Sequence, residues 1–186
     1  MELQPTFWRT CRALANMPRL EILRLLAIEG EMHVLEVASL CKISNGTASA
    51  YLRTLNARGL IQAQRNGRFV YYHVEPNKNI PFTDQLLNAM HEELICKHFN
   101  PHNIFMSSTA FANPRRICLI KMMNNEPLPR RELTRKWNYS PSSLSTHIWK
   151  LESRGFVKFK NNTCSLIRPT DTLRATMLNI ALSSTT

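Results

Sequence analysis

Two stretches of this chain are versions of one another, and that constrains its fold more than any other feature. "FWRTCRALANMPRLEILRLL" (7–26) lies on "IFMSSTAFANPRRICLIKMM" (104–123) at an offset of 97. Ala13, Ala15, Asn16 and Arg19 meet Ala110, Ala112, Asn113 and Arg116. One residue fewer, at an offset of 96, sets "LEVASLCKISNGTASAYLRTLNARGLI" (35–61) on "RELTRKWNYSPSSLSTHIWKLESRGFV" (131–157). Glu36, Ser44, Ser49, Leu55, Arg58 and Gly59 recur there as Glu132, Ser140, Ser145, Leu151, Arg154 and Gly155. Order and spacing are kept although identity is low, which is the signature of a repeated structural unit. The expected organisation is a first domain over 1–80, its closing helix and a linker over 81–103, and a second domain over 104–186.

Within one unit, the pattern reads as helices followed by a hairpin. An amphipathic helix (7–16; 104–113) ends at a break marked by Pro18 or Pro114. Leu20, Leu23 and Leu26 then recur at helical spacing over about 19–27. A short helix spans about 34–41. After "KIS", Ser44 is an N-cap, and a helix runs to Arg58 with Gly59 at its C′ position. In the second copy Ser140 caps, Pro141 takes the first helical position and Gly155 ends the helix. A hairpin follows each (62–74; 158–167), then a closing helix (about 83–99; 170–182), with "FNPHN" (99–103) as linker. The expected class is therefore mainly α with small β-hairpins, as two tandem winged helix-turn-helix domains.

The first hairpin, "QAQRNGRFVYYHV", has its turn at Asn66-Gly67, the strongest short hairpin signal. That register sets Arg65 opposite Arg68, where like charges repel. It also places Ile61, Ala63, Val70 and Tyr72 on one inner face. In the second hairpin Val157, Phe159, Cys164 and Leu166 share the inner face.

Charge points to a polyanionic partner. The net charge is +11. Residues 104–186 hold 13 Lys+Arg against 4 Asp+Glu, whereas residues 1–80 hold 10 against 6. Such a balance favours nucleic acid or acidic lipid. No helix pairs a cationic face with a Trp/Phe/Leu face, no apolar run reaches membrane-spanning length, and the first residues lack a secretory pattern, so no membrane role is expected. Five cysteines, at 11, 41, 96, 118 and 164, form no C-x-x-C pair. Reduced thiols in a cytoplasmic protein are expected. There is no phosphate-cradling glycine loop and no nucleophile-base arrangement, so an enzyme is not expected.

"ALANMPRLEILRLL", "GTASAYLRTLNARGLI" and "RNGRFVYYHV" resemble the first helices, recognition helix and wing of ArsR-type winged-helix repressors. The resemblance covers about residues 7–75, and the second copy shares it more loosely. It implies transcriptional control by DNA binding, and dimerisation through the first and last helices. Family members with arsenic sites carry Cys-Val-Cys where this chain has His33 and Leu35, so that thiolate site is absent. Some relatives bind zinc in the closing helix. Here His91, Glu92, Cys96, His98 and His102 cluster in that region, but His91, Cys96 and His98 do not make an i, i+4 ligand pair, and no metal or cofactor is expected.

The expected reading heads are helices 44–58 and 140–154 in the major groove of double-stranded DNA, with wings 62–74 and 158–167 on the phosphate backbone. Small or polar outer residues let a helix approach base edges: Asn45, Thr47, Ser49, Ala50 and Arg53 in the first, Ser142, Ser143, Ser145 and Thr146 in the second. Arg53 suits guanine. A phosphate near the first wing tip would turn the repulsion between Arg65 and Arg68 into attraction, and Lys150, Lys158 and Lys160 serve phosphate in the second unit. Arg58 and Arg154 sit in last helical turns and are read as structural. Trp149 aligns with Arg53, should face outward, and is read as marking an interface. The copies are expected to pair through their terminal helices, as a pseudo-dimer in one chain or as a homodimer. Two other functions fit tandem winged helices: a protein-interaction scaffold, and a plasmid or viral replication initiator.

Overall fold

The structure is a computed structural model that describes residues 5–96 and 100–184. The described residues divide into two compact units, one of residues 5, 13–96 and 100–105, the other of residues 6–12 and 106–184.

The first unit contains the end of α1 (Phe7–Leu14), then α2 (Met17–Glu29), β1 (Met32–His33), α3 (Val34–Leu40), α4 (Asn45–Ala57), β2 (Gln62–Asn66), β3 (Phe69–His73) and α5 (Thr83–Ile95). Its antiparallel sheet has the order β1-β3-β2. The second unit contains most of α1 and of α6 (His102–Phe111), with α7 (Pro114–Met122), β4 (Leu128–Pro129), α8 (Arg130–Lys136), α9 (Pro141–Glu152), β5 (Val157–Lys160), β6 (Thr163–Leu166) and α10 (Thr172–Ser183). Its sheet has the order β4-β6-β5.

The residues that recur between the copies build one elbow twice. Asn16 is the N-cap of α2, its Oδ1 accepting from the Arg19 amide at 3.0 Å. Arg19 Nε donates to the Ala13 carbonyl at 2.5 Å, satisfying an orphaned acceptor at the end of α1. Asn113 caps α7 through the Arg115 amide at 2.9 Å, and Arg116 Nε donates to the Ala110 carbonyl at 2.6 Å. Pro18 and Pro114 therefore do not break the chain. They sit inside the first turn of α2 and α7, where a missing N–H costs nothing.

Each core is a stack of the expected apolar stripes. In the first unit Leu20, Leu23 and Leu26 of α2 meet Ala48, Leu52 and Leu55 of α4, all at most 1% exposed. Each such leucine contributes about 1.5–3 kcal/mol by leaving water. In the second, Phe111 meets Phe156 edge-on with ring centroids 4.7 Å apart and Phe7 at 5.6 Å. Burial pushes the Cys164 thiol up to about 11. It also raises that of Cys11, with Arg116 opposing. Alkylation with iodoacetamide at about pH 8 should label the exposed Cys96 and spare Cys11 and Cys164. Equal labelling of Cys164 would show that its sheet opens.

Two local expectations are corrected. In the first hairpin Asn66 pairs with Phe69, Arg65 with Val70 and Ala63 with Tyr72. The turn is thus Gly67-Arg68, not Asn66-Gly67. Gly67 alone has positive φ, +61°, as a type II′ turn requires of its first central residue. Arg65 and Arg68 are not cross-strand partners. The shifted register carries the hairpin beyond the helices, leaving Ala63 and Val70 exposed, and of the expected inner face only Ile61 and Tyr72 are buried. The second hairpin keeps the expected face, with Val157 opposite Leu166 and Phe159 opposite Cys164. Its turn is Asn161-Asn162, with φ +50° and +60°, the type I′ form that asparagine tolerates. The 99–103 linker is shorter than expected, because α6 already begins at His102; Phe99 lies outside the described residues.

Candidate nucleic-acid interface

The turn between α3 and α4 is built by backbone hydrogen bonds. The Ile43 amide donates to the Ala38 carbonyl at 3.0 Å and the Lys42 amide to Ser39 at 3.2 Å, a Schellman pair that holds Lys42 at φ +53°. Ser44 then caps α4, accepting from the Thr47 amide at 3.1 Å, while the Ser44 and Thr47 hydroxyls hydrogen-bond at 2.8 Å. Ala48, Leu52 and Leu55 are buried, which turns Gly46, Ser49, Ala50 and Arg53 to the opposite face. Asn45, Ala50 and Arg53 are exposed; Thr47 and Ser49 are half-buried. Arg53 hydrogen-bonds to the Ser49 carbonyl through Nε at 3.3 Å, a contact that does not use its terminal nitrogens.

The wing adds two more exposed cations, Arg65 and Arg68. Arg65 Nε donates to the Gly67 carbonyl at 3.2 Å, and the Arg68 guanidinium lies 5.1 Å from the Phe69 ring centroid. At the base of the wing β1 joins β3, Met32 pairing with Tyr72 and His33 with Tyr71. The His33 ring stacks on Phe69 at 5.0 Å. Its Nδ1 accepts from the Glu36 amide at 3.3 Å, while Glu36 Oε2 accepts from the His33 amide at 2.9 Å. His33 thus holds the start of α3 as a capping box and supports the wing. That role was missed at the sequence level, although His33 and Glu36 stand at capping-box spacing.

In the second unit Ser140 caps α9, accepting from the Ser143 amide at 3.3 Å. Ser142 and Thr146 are exposed, Ser143, Ser145 and Lys150 half-buried. Much of this hydroxyl face bonds to its own helix. Thr146 Oγ1 donates to the Ser142 carbonyl at 3.0 Å, and Ser145 Oγ to the Pro141 carbonyl at 3.0 Å. Ser142 Oγ lies 3.1 Å from Ser140 Oγ. Lys158 and Lys160 project from the exposed face of β5. The Lys150 ammonium is held below its usual range by burial and then by Arg154 and Arg116, and burial and Arg154 lower Arg116 in turn. Cations crowded together in this way favour an anion beside them.

Three sets of residues on this side were missed. Arg130 donates through Nη2 to Ser145 Oγ at 2.6 Å and lies 5.8 Å from the Phe159 ring, tying the start of α8 to α9 and the wing. Arg115 lies 3.8 Å from the ring centroid of Tyr139, beside the α9 cap. Arg131, Arg135 and Lys136 are exposed on α8. The signal was there in "RRELTRK" (130–136), a short helix with four cations. Arg154 donates to Thr109 Oγ1 at 2.8 Å, consistent with a structural role. His147, Trp137 and Tyr139 form an aromatic cluster, with His147 and Trp137 ring centroids 5.7 Å apart and Trp137 and Tyr139 5.2 Å. Burial, then Arg116 and Arg115, hold His147 below the ordinary imidazole range. Among the described residues no group of three or more His, Cys, Asp or Glu is placed to hold a metal, and His98 lies outside them. No helix among the described residues is long and apolar enough to cross a membrane.

Residues 18–63 match the family described as "Bacterial regulatory protein, arsR family". The chain is 36% identical over 64 residues to a cadmium resistance transcriptional regulatory protein CadC homolog of Staphylococcus aureus, covering 34% of this chain and 53% of that protein. It is 44% identical over 66 residues to an HTH-type transcriptional regulator of Mycobacterium tuberculosis, covering 36% and 29%. With the CadC of Listeria innocua it shares 32% identity over 79 residues, covering 42% and 60%. The chain thus spans between 29% and 60% of these relatives' lengths. Among solved structures, a homodimeric winged helix-turn-helix DNA-binding domain from Mycobacterium bovis is 35% identical, with TM-score 0.37, over 50% of this chain and 83% of that one. Reduced HlyU from Vibrio cholerae is 28% identical, with TM-score 0.35, over 46% and 84%. Residues 18–63 form an ArsR-family helix-turn-helix domain.

Proposed function

We propose that the chain is a sequence-specific, double-stranded DNA-binding transcriptional regulator with two tandem winged helix-turn-helix heads. The observation that carries this reading is the α4 surface. A helix capped at Ser44 presents small residues and Arg53 outward, beside a wing whose Arg65 and Arg68 stand exposed. Such a helix fits the major groove and such a wing the flanking phosphates. Asn45, Thr47, Ser49, Ala50 and Arg53 face the bases of the first head. Ser142, Ser143, Ser145 and Thr146 do so in the second, with Lys150, Lys158, Lys160 and Arg130 on its phosphates.

The regulators among the relatives support the transcriptional role, and the same element order in both units supports the duplication. The protein works in the cytoplasm without catalysis or a cofactor. Its copies pair through terminal helices, within one chain or between two.

Selection of duplexes from a random pool by the full chain tests the reading. Recovery of a defined site supports it, and failure to retain any duplex in dilute buffer overturns it. Replacing Arg53 with Ala should relax the preference at one base pair, the lost discrimination being about 1–3 kcal/mol. An unchanged site profile would remove Arg53 from base contact.

A further inference from the structure

The two heads differ where they should be most alike. Arg53 and Trp149 both stand nine residues after a capping serine, Ser44 and Ser140. Arg53 offers hydrogen-bond donors there. Trp149 offers an indole that is 62% exposed, the most exposed large apolar side chain among the described residues. It shares its helix face with Ser142, Ser145 and Thr146, whose spacing of three and four residues lines them up along α9. The donors of Ser145 and Thr146 are spent on the Pro141 and Ser142 carbonyls. This face therefore presents hydroxyl oxygens, a threonine side chain and an indole, and little free donor capacity.

The surroundings of Trp149 argue against a protein interface. Such surfaces gather apolar side chains into a patch. Among the described residues of this unit, Tyr139 is the other exposed large apolar side chain, and the Arg115 guanidinium lies against its ring. Near Trp149 itself lies the Lys150 ammonium, 6.0 Å from the ring centroid. A lone indole among hydroxyls and cations suits a groove that is polyanionic at its walls and apolar at one point on its floor. In duplex DNA that point is the thymine 5-methyl group, which side-chain carbon reads in the major groove.

We propose, on the reading of both units as DNA-binding heads, that Trp149 is a specificity-determining residue that reads a thymine methyl. The bound duplex is then asymmetric in chemistry, with guanine under Arg53 and thymine under Trp149. One chain distinguishes the two halves of its site without any help from an effector.

The test needs only the full chain and a duplex recovered by selection. Thymines are replaced singly by deoxyuridine, which deletes the methyl and keeps every hydrogen-bonding group. One replacement, in the half-site away from the Arg53 guanine, should weaken binding about fourfold. Trp149→Ala should bind the thymine and deoxyuridine duplexes equally. Trp149→Phe should keep the difference, and Arg53→Ala should leave it untouched. Equal affinity of the unaltered protein for every deoxyuridine duplex overturns the assignment while leaving DNA binding standing. A Trp149→Ala protein that binds all duplexes more weakly but keeps the methyl dependence also overturns it, since that marks a packing role. Failure to hold any duplex removes the underlying reading as well.

Discussion

A duplex held by the full chain at about 50 mM salt is expected to be held about a thousandfold less tightly at 200 mM. Each phosphate neutralised by a cation releases condensed counterions, so the logarithm of affinity falls with the logarithm of salt at roughly 0.9 per contact. Arg65 and Arg68 at the first wing, Lys158 and Lys160 at the second, and Lys150 and Arg130 beside α9 make about six contacts on this proposal. Losing both wing arginines, in the double variant Arg65→Ala and Arg68→Ala, should cut the fall to about a hundredfold over the same range. A slope unchanged by that variant would exclude the first wing from the phosphates. The site's sequence preference should survive, because phosphate contacts set register without reading bases. Trp149→Ala should leave the slope as it is, which separates the uncharged contact proposed there from an electrostatic one. Fluorescence anisotropy of labelled duplex over a series of salt concentrations measures all three.

What was legible in the sequence was whatever depends on local chemistry. Ser44 and Ser140 announce N-caps because their hydroxyls need only the amide three residues on. Gly59 and Gly155 announce helix ends because few other residues take a positive φ there. The match of Asn16 and Arg19 with Asn113 and Arg116 was visible, but its meaning was not. The bonds those arginines make run back six residues, to Ala13 and Ala110, across a helix junction. The misplaced wing turn has a similar origin. Asn66-Gly67 and Gly67-Arg68 are both acceptable turns locally, and the one adopted follows from the pairing of the whole strand Gln62–Asn66 with Phe69–His73. Arg130 was missed for the opposite reason. Its charge was plain, but contact with Ser145 and Phe159 depends on the fold bringing three elements together.

The largest change in stability is expected at Gly59. It is the C′ residue of α4: its amide donates to the Asn56 carbonyl at 2.8 Å and the next amide, Leu60, donates to Leu55 at 3.2 Å. This closure holds Gly59 at φ +73°. An alanine here would carry a left-handed backbone penalty of about 1–2 kcal/mol. It would also have no room. A Cβ at this position stands 2.6 Å from Ile80 Cδ1 and 3.0 Å from Asn77 Cβ. Neither neighbour yields freely: Ile80 is buried, and the Asn77 amide is tied to the Gly59 carbonyl at 3.0 Å. The Asn77 carbonyl in turn accepts from Thr83 Oγ1 at 2.9 Å, at the start of α5. Overpacking of this kind adds about 1–3 kcal/mol, so Gly59→Ala should cost about 3 kcal/mol in the first unit. Gly67→Ala serves as the control. It meets φ +61° but nothing within 4 Å, and should cost the backbone penalty alone, about 1–2 kcal/mol. Gly155→Ala should fall between them, because its Cβ would displace the end of a flexible side chain, Arg174, that donates to the Arg154 and Gly155 carbonyls at 3.0 and 2.8 Å. Trp8, Trp137 and Trp149 all lie in the second unit, so tryptophan fluorescence does not report on the first. Hydrogen exchange of the α2 and α4 amides does, and a Gly59→Ala protein within 1 kcal/mol of the parent would refute the packing described at this helix end. The same variant links stability to reading. Loosening the end of α4 lets its outer face wander, so affinity for the selected duplex should fall while the salt slope, set by cations elsewhere, stays where it was.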